Sequence, residues 1–338
     1  MDAIFIQVLN GLDKGAAYAL MALGLTLAFG TLGIVNFAHG VLFMLGAFCA
    51  VSVNKILTIS EKVRDPSITF FEAYKEIPYL EIWWGDLGTS IIDYSVPISI
   101  LFTIPVMALI GIAMERGLIR FFYKRTHAEQ ILVTFGLAIV LQEIIKHFFG
   151  ANSIPVGAPD IVAGSAPVGA FFGFGDTMVY PWWRLIYFLF SVVVIGGVFS
   201  FLQFTTYGMV VRAGMADRDT VGLLGLNIQR RFTIVFALAA VVAGLAGAMY
   251  TPIVAPDYHM GMQLLVLSFV VVVVGGMGSL PGAVAAGFLL GILESFASMN
   301  EVKQIFPGID QIIIYLVAVA ILLIRPRGLM GRKGVMED

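Results

Sequence analysis

The sequence predicts an all-α, polytopic helical membrane protein with about eight to ten transmembrane helices, some of them discontinuous. Of its 338 residues, 59 % are hydrophobic and only 12 % are charged, and the mean hydropathy is +0.94. Soluble domains of this length do not combine such values. The apolar residues fall in separate stretches divided by polar loops, so we expect a single transmembrane domain over residues 1–338.

Nine apolar stretches each predict one helix. Several are shorter than the ~20 residues that a straight crossing needs, most clearly Val41–Val53 and Leu264–Val274. Short stretches beside glycine-rich breaks indicate discontinuous helices, so we expect breaks at Gly30–Gly40 and Gly275–Gly282, although tight turns explain the glycines equally well. Ile4–Leu12 could form a further partial helix. The nine stretches are Ala16–Val35, Val41–Val53, Val96–Met114, Ile131–Phe149, Leu185–Leu202, Phe232–Tyr250, Leu264–Val274, Ala283–Ala297 and Ile309–Ile324.

The distribution of basic residues predicts the orientation of these helices. Three basic clusters are separated by even numbers of crossings, so all three can face the cytoplasm. The acidic loop at about 54–95 and the Gly/Pro-rich loop at about 150–183 then face outward, and nine crossings leave the C-terminus in the cytoplasm. The clusters are Arg116, Arg120, Lys124 and Arg125, then Arg212, Arg218, Arg230 and Arg231, and finally Arg325, Arg327, Arg332 and Lys333.

The loop at about 205–231 is a polar segment between two apolar stretches. It reads TTYGMVVRAGMADRDTVGLLGLNIQRR, and its middle, Ala216–Leu226, has helical spacing that opens with charged residues and ends at a glycine stop signal. Leucines on this short helix would be exposed without a partner. The pattern therefore favours a surface that docks to another protein over an ordinary solvated connection.

Several kinds of chemistry have no basis in this sequence. There is no GxxxxGK[ST] loop for nucleotide phosphates, no metal-ligand spacing among the four His and one Cys, and no GxSxG. We therefore expect neither an enzyme nor a cofactor or metal site. The spans hold few acids or bases of the kind that a proton-coupled carrier needs. Glu143, Lys146 and His147 favour a local ion pair over a proton relay, and Glu115 and Glu294 should reach the membrane interface from span ends.

Polar side chains near the first break are candidates for the translocation pathway. Asn36 and His39 either line the route or hydrogen-bond the loosened backbone of the break. Thr26, Thr134 and Ser268 are further candidates for its wall. A branched apolar solute would need apolar walls and would leave few marks in the sequence.

Six segments match one known family in order. They are NFAHG at Asn36–Gly40, MERGLIRFFYKR at Met114–Arg125, YGMVVRAGMADRDTVGLLGLN at Tyr207–Asn227, FALAAVVAGLAGAMY at Phe236–Tyr250, GGMGSLPGAVAAGFLLGILE at Gly275–Glu294 and RPRGLMGR at Arg325–Arg332. Together they resemble the branched-chain amino-acid permease subunit of ATP-binding-cassette (ABC) importers, of the LivH type, from about Gly15 to Gly331.

This resemblance implies an ABC importer permease fold in a bacterial cytoplasmic (inner) membrane. The chain would form half of the pathway for branched-chain, hydrophobic amino acids without enzymatic activity of its own. Its implied partners are a second homologous permease, two cytoplasmic ATPase subunits, a periplasmic or lipid-anchored solute-binding protein and membrane lipid, with no nucleic acid. Ala213–Asn227 corresponds to the ATPase-coupling loop, without a literal Glu-Ala-Ala. The residues assigned to coupling are Arg212, Ala213, Asp217, Arg218, Leu223, Leu224 and Gly225.

Other functions remain open at this stage. Within the same family, a permease for urea or short amides is the alternative, because such permeases are similar throughout. A self-contained secondary transporter would need its own ion or proton site, and the spans contain few acidic or basic residues that could form one. A non-transporting membrane scaffold is a third interpretation, which solute flux in vesicles would exclude.

Overall fold

The computed structural model describes residues 2–34, 36–64, 74–123, 125–173, 178–216, 221, 223 and 228–331. Fourteen α-helices lie within these residues. They are α1 (Asp2–Leu32), α2 (His39–Leu57), α3 (Tyr79–Trp84), α4 (Asp86–Asp93), α5 (Ser95–Gly117), α6 (His127–Phe149), α7 (Val168–Phe172), α8 (Trp182–Phe204), α9 (Thr206–Ala216), α10 (Ile228–Tyr250), α11 (Met260–Gly275), α12 (Leu280–Ala297), α13 (Asn300–Ile305) and α14 (Ile309–Ile324).

Two short antiparallel β-ribbons accompany the helices. The first pairs β1 (Ser60–Arg64) with β2 (Tyr74–Pro78), and the second pairs β3 (Ser165–Ala166) with β4 (Tyr180–Pro181). Both ribbons lie in loops, so they add to the predicted all-α architecture without changing it.

Seven helices in the described residues are long and apolar enough to cross a membrane: α1, α2, α5, α6, α8, α10 and α12. The apolar helices α11 and α14 have 16 residues each and are shorter. Every predicted apolar stretch coincides with one of these nine helices. The prediction of a polytopic helical membrane protein is therefore confirmed.

The first helix differs from its prediction. We expected a span beginning at Ala16, with Ile4–Leu12 as a separate partial helix, but α1 is continuous over 31 residues. Asp13 and Lys14 lowered the hydropathy at the predicted boundary. Inside the fold both charges have partners, Arg184 and Glu294 respectively, so the helix passes through them without a break.

Two helices form the centre of the bundle. In the most apolar stretch of 18 residues, 83 % of the residues are buried inside the fold in both α1 and α10, whereas only 17 % are buried in α6. Helix α1 packs against α8, α10, α11 and α12, and α10 packs against α2 and α5. The outer helices, and α6 above all, therefore leave apolar faces for lipid or for another subunit.

The contact between α1 and α12 depends on small residues. A Cβ placed on Gly291 would lie 2.4 Å from the backbone of Gly15, and one on Gly287 would lie 2.7 Å from the backbone of Ala19. Gly11 likewise approaches the backbone of Ile292. Without side chains at these positions the two backbones come close together, which is how membrane helices gain packing energy where lipid removes the hydrophobic driving force.

The bundle has two distinct ends. The hairpin end carries the β1–β2 ribbon, α3 and α4, together with the 3₁₀ turn Asp160–Val162, α7 and the β3–β4 ribbon. The α9 end carries α9, the 3₁₀ turn Ile119–Phe122 and residues 325–331. The two loops that we expected outside belong to the hairpin end, and the basic clusters belong to the α9 end, as far as the described residues cover them.

Candidate translocation and coupling site

The two predicted breaks have different structures. At the first, α1 ends at Leu32, Gly33 takes a positive φ of 66° and α2 begins at His39. His39 is completely buried, and a Cβ on Gly24 would lie 2.6 Å from its Nε2 and 3.2 Å from the carbonyl oxygen of Ala239, near the middle of α10. Helix α2 therefore begins inside the protein, as expected for a discontinuous helix.

Helix α11 begins beside the first turn of α2. A Cβ on Gly261 would lie 3.1 Å from the carbonyl oxygen of Gly40 and 3.2 Å from the Cα of Val41. The starts of two short apolar helices therefore meet within the bundle.

The second break is a tight turn at the α9 end. Helix α11 ends at Gly275, Gly276 takes a φ of 101°, and Ser279 caps the start of α12 by accepting the N–H of Gly282 at 3.2 Å. The backbone N–H groups of Leu329 and Met330 donate to the carbonyls of Val274 and Gly275 at 2.8 and 3.0 Å. The second break is therefore a tight turn and not a discontinuous helix. At the first break, the chain re-enters the protein and α2 starts in its interior.

Two of the pathway candidates bind the loosened backbone of the first break. Asn36 is 1 % exposed, and its Oδ1 accepts the N–H of Ala38 at 3.0 Å. Thr134 on α6 accepts the N–H of Phe37 at 3.0 Å and donates to the carbonyl of Gln130 at 2.8 Å. Both contacts satisfy backbone groups that a helix break leaves free.

The remaining candidates are also enclosed. Ser268 donates to the carbonyl of Leu264 on its own helix at 2.6 Å, and neither the Thr26 hydroxyl nor Asn36 Nδ2 has a hydrogen-bond partner within the described part of the chain. The structure brings Asn36, His39 and Thr134 together around the break. None of the five pathway candidates is more than 2 % exposed, so no open lumen reaches them in this conformation.

The predicted coupling segment begins with a helix that its sequence pattern did not predict. Helix α9 covers Thr206–Ala216. Most of the helix that we expected over Ala216–Leu226 lies outside the described residues, so it stays a prediction. The Arg212 guanidinium contacts the carbonyl oxygen of Leu202, at the end of α8, and Ala213 is exposed. Val221 is 6 % exposed and Leu223 is 88 % exposed. Asp217, Arg218, Leu224 and Gly225 lie outside the described residues.

The coupling segment is attached to the bundle by polar contacts. The Arg231 guanidinium at the start of α10 stacks over the ring of Tyr207 on α9, 3.8 Å from its centroid. Arg120 contacts Oε1 of Gln229. A groove of about 330 Å³ opens next to these residues, lined by Arg116, Arg120, Phe121, Tyr123 and Gln229.

Glu115 lies beneath this surface, and its predicted position was wrong. We expected its carboxylate to reach the membrane interface, but it is completely buried. It accepts the Tyr123 hydroxyl at 2.6 Å and the Thr233 hydroxyl at 2.8 Å. One carboxylate therefore joins α5, the loop after it and the first turns of α10.

Near the hairpin end, the structure reveals a polar network that sequence analysis missed. Asp13 is 3 % exposed, and its Oδ2 lies 3.8 Å from Nη1 of Arg184 on α8. One residue further along α1, Lys14 forms a 2.8 Å ion pair with Glu294 of α12, which also accepts a hydrogen bond from Tyr18. The adjacent opposite charges in α1 were the available signal. The hydropathy pattern, which starts the first apolar stretch at Ala16, leaves both charges outside the span.

The polar surroundings of Asp13 extend into the loop before α8. Burial, with the negative charge of Asp13, raises the pKa of Tyr180 to about 12, so this phenol remains a neutral hydrogen-bonding group at physiological pH. On α6, Glu143 and Lys146 lie 3.5 Å apart, as the predicted local ion pair requires. No group of three metal-ligating side chains occurs among the residues that the structure describes.

Comparison with known proteins assigns this arrangement to one family. The family model described as "Branched-chain amino acid transport system / permease component" matches residues 7–322. The chain is 27 % identical to the high-affinity branched-chain amino acid transport system permease protein BraD of Pseudomonas aeruginosa, over 97 % of this chain and 96 % of that protein. It is 25 % identical to the corresponding protein LivH of Salmonella typhimurium, with the same coverage of both chains.

A more distant relative has a different solute in its name. The chain is 22 % identical to the ribose import permease protein RbsC of Haemophilus influenzae, over 70 % of this chain and 72 % of that protein. No solved structure gives a significant match. The match to the family model and to full-length relatives, with nine apolar helices in the expected order, shows that this chain belongs to the family of permease components of branched-chain amino acid transport systems.

Proposed function

We propose that this chain is the membrane permease subunit of an ABC importer and forms half of the pathway for branched-chain amino acids. The observation that carries the proposal is the family match over residues 7–322. The solute is taken from the names of the relatives at 25–27 % identity, which cover nearly the whole chain. A homologous second permease completes the pathway, and a solute-binding protein delivers the amino acid.

ATP hydrolysis takes place on separate cytoplasmic ATPase subunits in this proposal. The α9 end is then cytoplasmic, in a bacterial inner membrane, and the hairpin end faces the binding protein. The loop at about 205–231 docks on the ATPase. Leu223 supports this role because an 88 % exposed leucine gains stability when a partner covers it.

The first break controls the route in this proposal. Asn36, His39 and Thr134 are enclosed in the present conformation, and a permease must open and close its pathway on alternate sides. We infer that Asn36 and Thr134 hold the shape of the break through their backbone hydrogen bonds. Thr26 and Ser268 contribute to the neighbouring wall.

Reconstitution tests the function directly. The chain, its homologous permease, the two ATPase subunits and the binding protein in proteoliposomes should take up L-leucine only when ATP is present. Excess L-valine should compete, whereas urea, acetamide and D-ribose should not. Uptake without ATP or without the ATPase subunits would identify a secondary transporter, and competition by urea would identify the amide alternative.

The docking role of the 205–231 loop predicts a specific variant. Leu223→Glu places a charge on the face that we assign to the ATPase, so solute-stimulated ATP hydrolysis should fall by about tenfold or more, with normal protein levels. Leu87→Glu is the matched control, because Leu87 is 71 % exposed on α4 at the opposite end. That end faces the binding protein in this proposal, so the two variants are compared by co-purification of the ATPase subunits, which only Leu223→Glu should lose. Normal co-purification of the ATPase with Leu223→Glu would show that Leu223 takes no part in docking.

A further inference from the structure

A pocket of about 400 Å³ opens at the hairpin end between three parts of the chain. The loop before α8 forms one side, the first turn of α8 forms the floor, and the residues after α10 form the other side. Its walls combine polar and apolar groups, and the larger apolar side chains among them are Val162, Trp183, Pro252 and Ile253. The volume lies in the range of small-molecule sites in proteins.

Among the described residues that line this pocket, Arg184 is the only charged one. Its side chain is 35 % exposed. Its neighbour Asp13 is too far away for a hydrogen bond, at 3.8 Å, and Nη1 donates instead to Oδ1 of Asn10 at 3.2 Å. Tyr180 also contacts the guanidinium, whose Cζ lies 5.9 Å from the centroid of its ring. A guanidinium has five N–H donors in a planar fork, so these contacts leave donors for a further carboxylate.

The position of Arg184 in its helix also favours an anion. It is the third residue of α8, which has 23 residues, and the first turn of a long helix carries the positive end of its dipole. A charge-assisted hydrogen bond between a carboxylate and a guanidinium is stronger than one between neutral groups.

The walls of the pocket are held in place. The Trp183 indole N–H donates to the carbonyl of Met249 at 3.0 Å. The backbone N–H of Trp182 donates to the carbonyl of Gly164, also at 3.0 Å. The three parts of the chain are thus joined to one another at the pocket. A preformed site loses less entropy on binding than a flexible one.

Asp13 lies behind Arg184 and does not line the pocket. It is only 3 % exposed, and its Oδ2 lies 3.8 Å from Nη1 of Arg184. A ligand in the pocket therefore contacts the guanidinium and not the buried carboxylate.

We propose that this pocket binds a free amino acid with an apolar side chain, whose carboxylate pairs with Arg184 and whose side chain contacts Val162, Trp183 and Ile253. The proposal rests on the proposed function and names a solute site within this subunit. It places that site at the hairpin end, before the buried break between α1 and α2. The amino acid would pass from the binding protein to this pocket and then into the pathway.

Binding to the full-length chain in lipid nanodiscs tests the site without any partner subunit. Radiolabelled L-leucine should bind, and 4-methylpentanoate, which keeps the carboxylate and lacks the amine, should compete for it. L-leucinamide, which lacks the carboxylate, should compete at least about tenfold more weakly. Competition by L-leucinamide equal to that of L-leucine, or no detectable L-leucine binding, would overturn the proposal.

Two variants separate the site from the stability of the fold. Gly164→Phe fills the pocket, and its Cβ would meet only Cδ1 of Trp182, at 3.9 Å, so the fold should tolerate it while L-leucine binding falls at least about tenfold. Gly157→Phe lies in the same loop with nothing within 4 Å of its Cβ and should bind normally. Arg184→Lys keeps the charge beside Asp13 and loses the planar fork, so it should also bind at least about tenfold more weakly.

The same variants distinguish this site from the proposed transport function. Normal L-leucine binding by Gly164→Phe or Arg184→Lys would overturn the proposal. So would a Gly164→Phe variant that binds L-leucine normally and loses only its association with the binding protein. If only the pocket assignment were wrong, the wild-type importer would still take up L-leucine with ATP. If the proposed function were wrong, the wild type itself would show no ATP-driven uptake.

Discussion

Glu115 shows how a single residue can join two helices beneath the predicted coupling surface. Its carboxylate is completely buried and accepts hydroxyl groups from Tyr123 and Thr233. Its removal leaves two donors in a place where water cannot satisfy them, and each such donor costs roughly 1–3 kcal/mol.

We therefore expect Glu115→Ala to lower the melting temperature of the detergent-solubilised protein, and Glu115→Gln, which keeps one acceptor oxygen, to lower it less. Glu143→Ala removes a carboxylate that is 56 % exposed and should change stability by at most about 0.5 kcal/mol. Equal melting temperatures for Glu115→Ala and Glu143→Ala would mean that the buried contacts contribute nothing.

Gly24 and His39 form a second residue-scale pair. A Cβ on Gly24 would lie 2.6 Å from Nε2 of His39, closer than real side chains approach. Gly24→Ala should therefore displace the imidazole and lower the yield of folded protein, because a buried ring on a packed helix start has little room to move.

The double variant Gly24→Ala/His39→Ala should recover part of that loss, since the clash disappears with the ring. Size-exclusion profiles of the two single variants and the double variant measure the coupling between the sites. Simple addition of the two single effects would show that the ring does not rest on Gly24.

At the scale of elements, the contact between α1 and α12 determines how the two halves of the chain meet. Gly15 and Gly291 bring two long apolar helices together at a distance that no larger residue allows. Gly291→Ala places a Cβ 2.4 Å from the backbone of Gly15, and backbone on a packed helix cannot yield as a flexible side chain does.

We expect Gly291→Ala to reduce the amount of monodisperse protein after extraction, typically with a loss of about 1–3 kcal/mol for an overpacked core site. Gly196→Ala is the matched control, because a Cβ at Gly196 on α8 meets nothing within 4 Å. Equal recovery of both variants would indicate that α1 and α12 can separate without cost.

At the scale of the whole molecule, orientation decides which end could meet the ATPase of the proposed importer. The basic residues at the α9 end and the acidic loop at the hairpin end predict that the α9 end is cytoplasmic. In a Cys49→Ala background, Glu76→Cys, whose carboxylate is 63 % exposed in β2, should react with a membrane-impermeant thiol reagent in intact cells.

Met330→Cys, at a position that is 50 % exposed, should react only after the cells are permeabilised. The reverse labelling pattern would place the hairpin end in the cytoplasm. It would then remove the basis for ATPase docking at the 205–231 loop.

The sequence by itself determined the number and order of the apolar helices. Each of the nine stretches became a helix because a backbone in lipid must satisfy its hydrogen bonds internally, and this requirement acts on every span separately. It also predicted the first break at Gly30–Gly40, where short apolar runs flank glycines. The order of its motifs indicated the family that the comparison with known proteins established.

Only the tertiary structure decided which polar residues are inside. Asp13 and Arg184 lie 171 residues apart in the chain, and Glu115 lies 118 residues from its partner Thr233. A hydropathy pattern therefore assigned such charges to span ends. The fold also decided that α2 begins beside Gly24 and that Asn36 binds backbone, because both results depend on how helices distant in sequence pack together. Burial of a charge is a property of the assembled bundle, and no local stretch of sequence contains it.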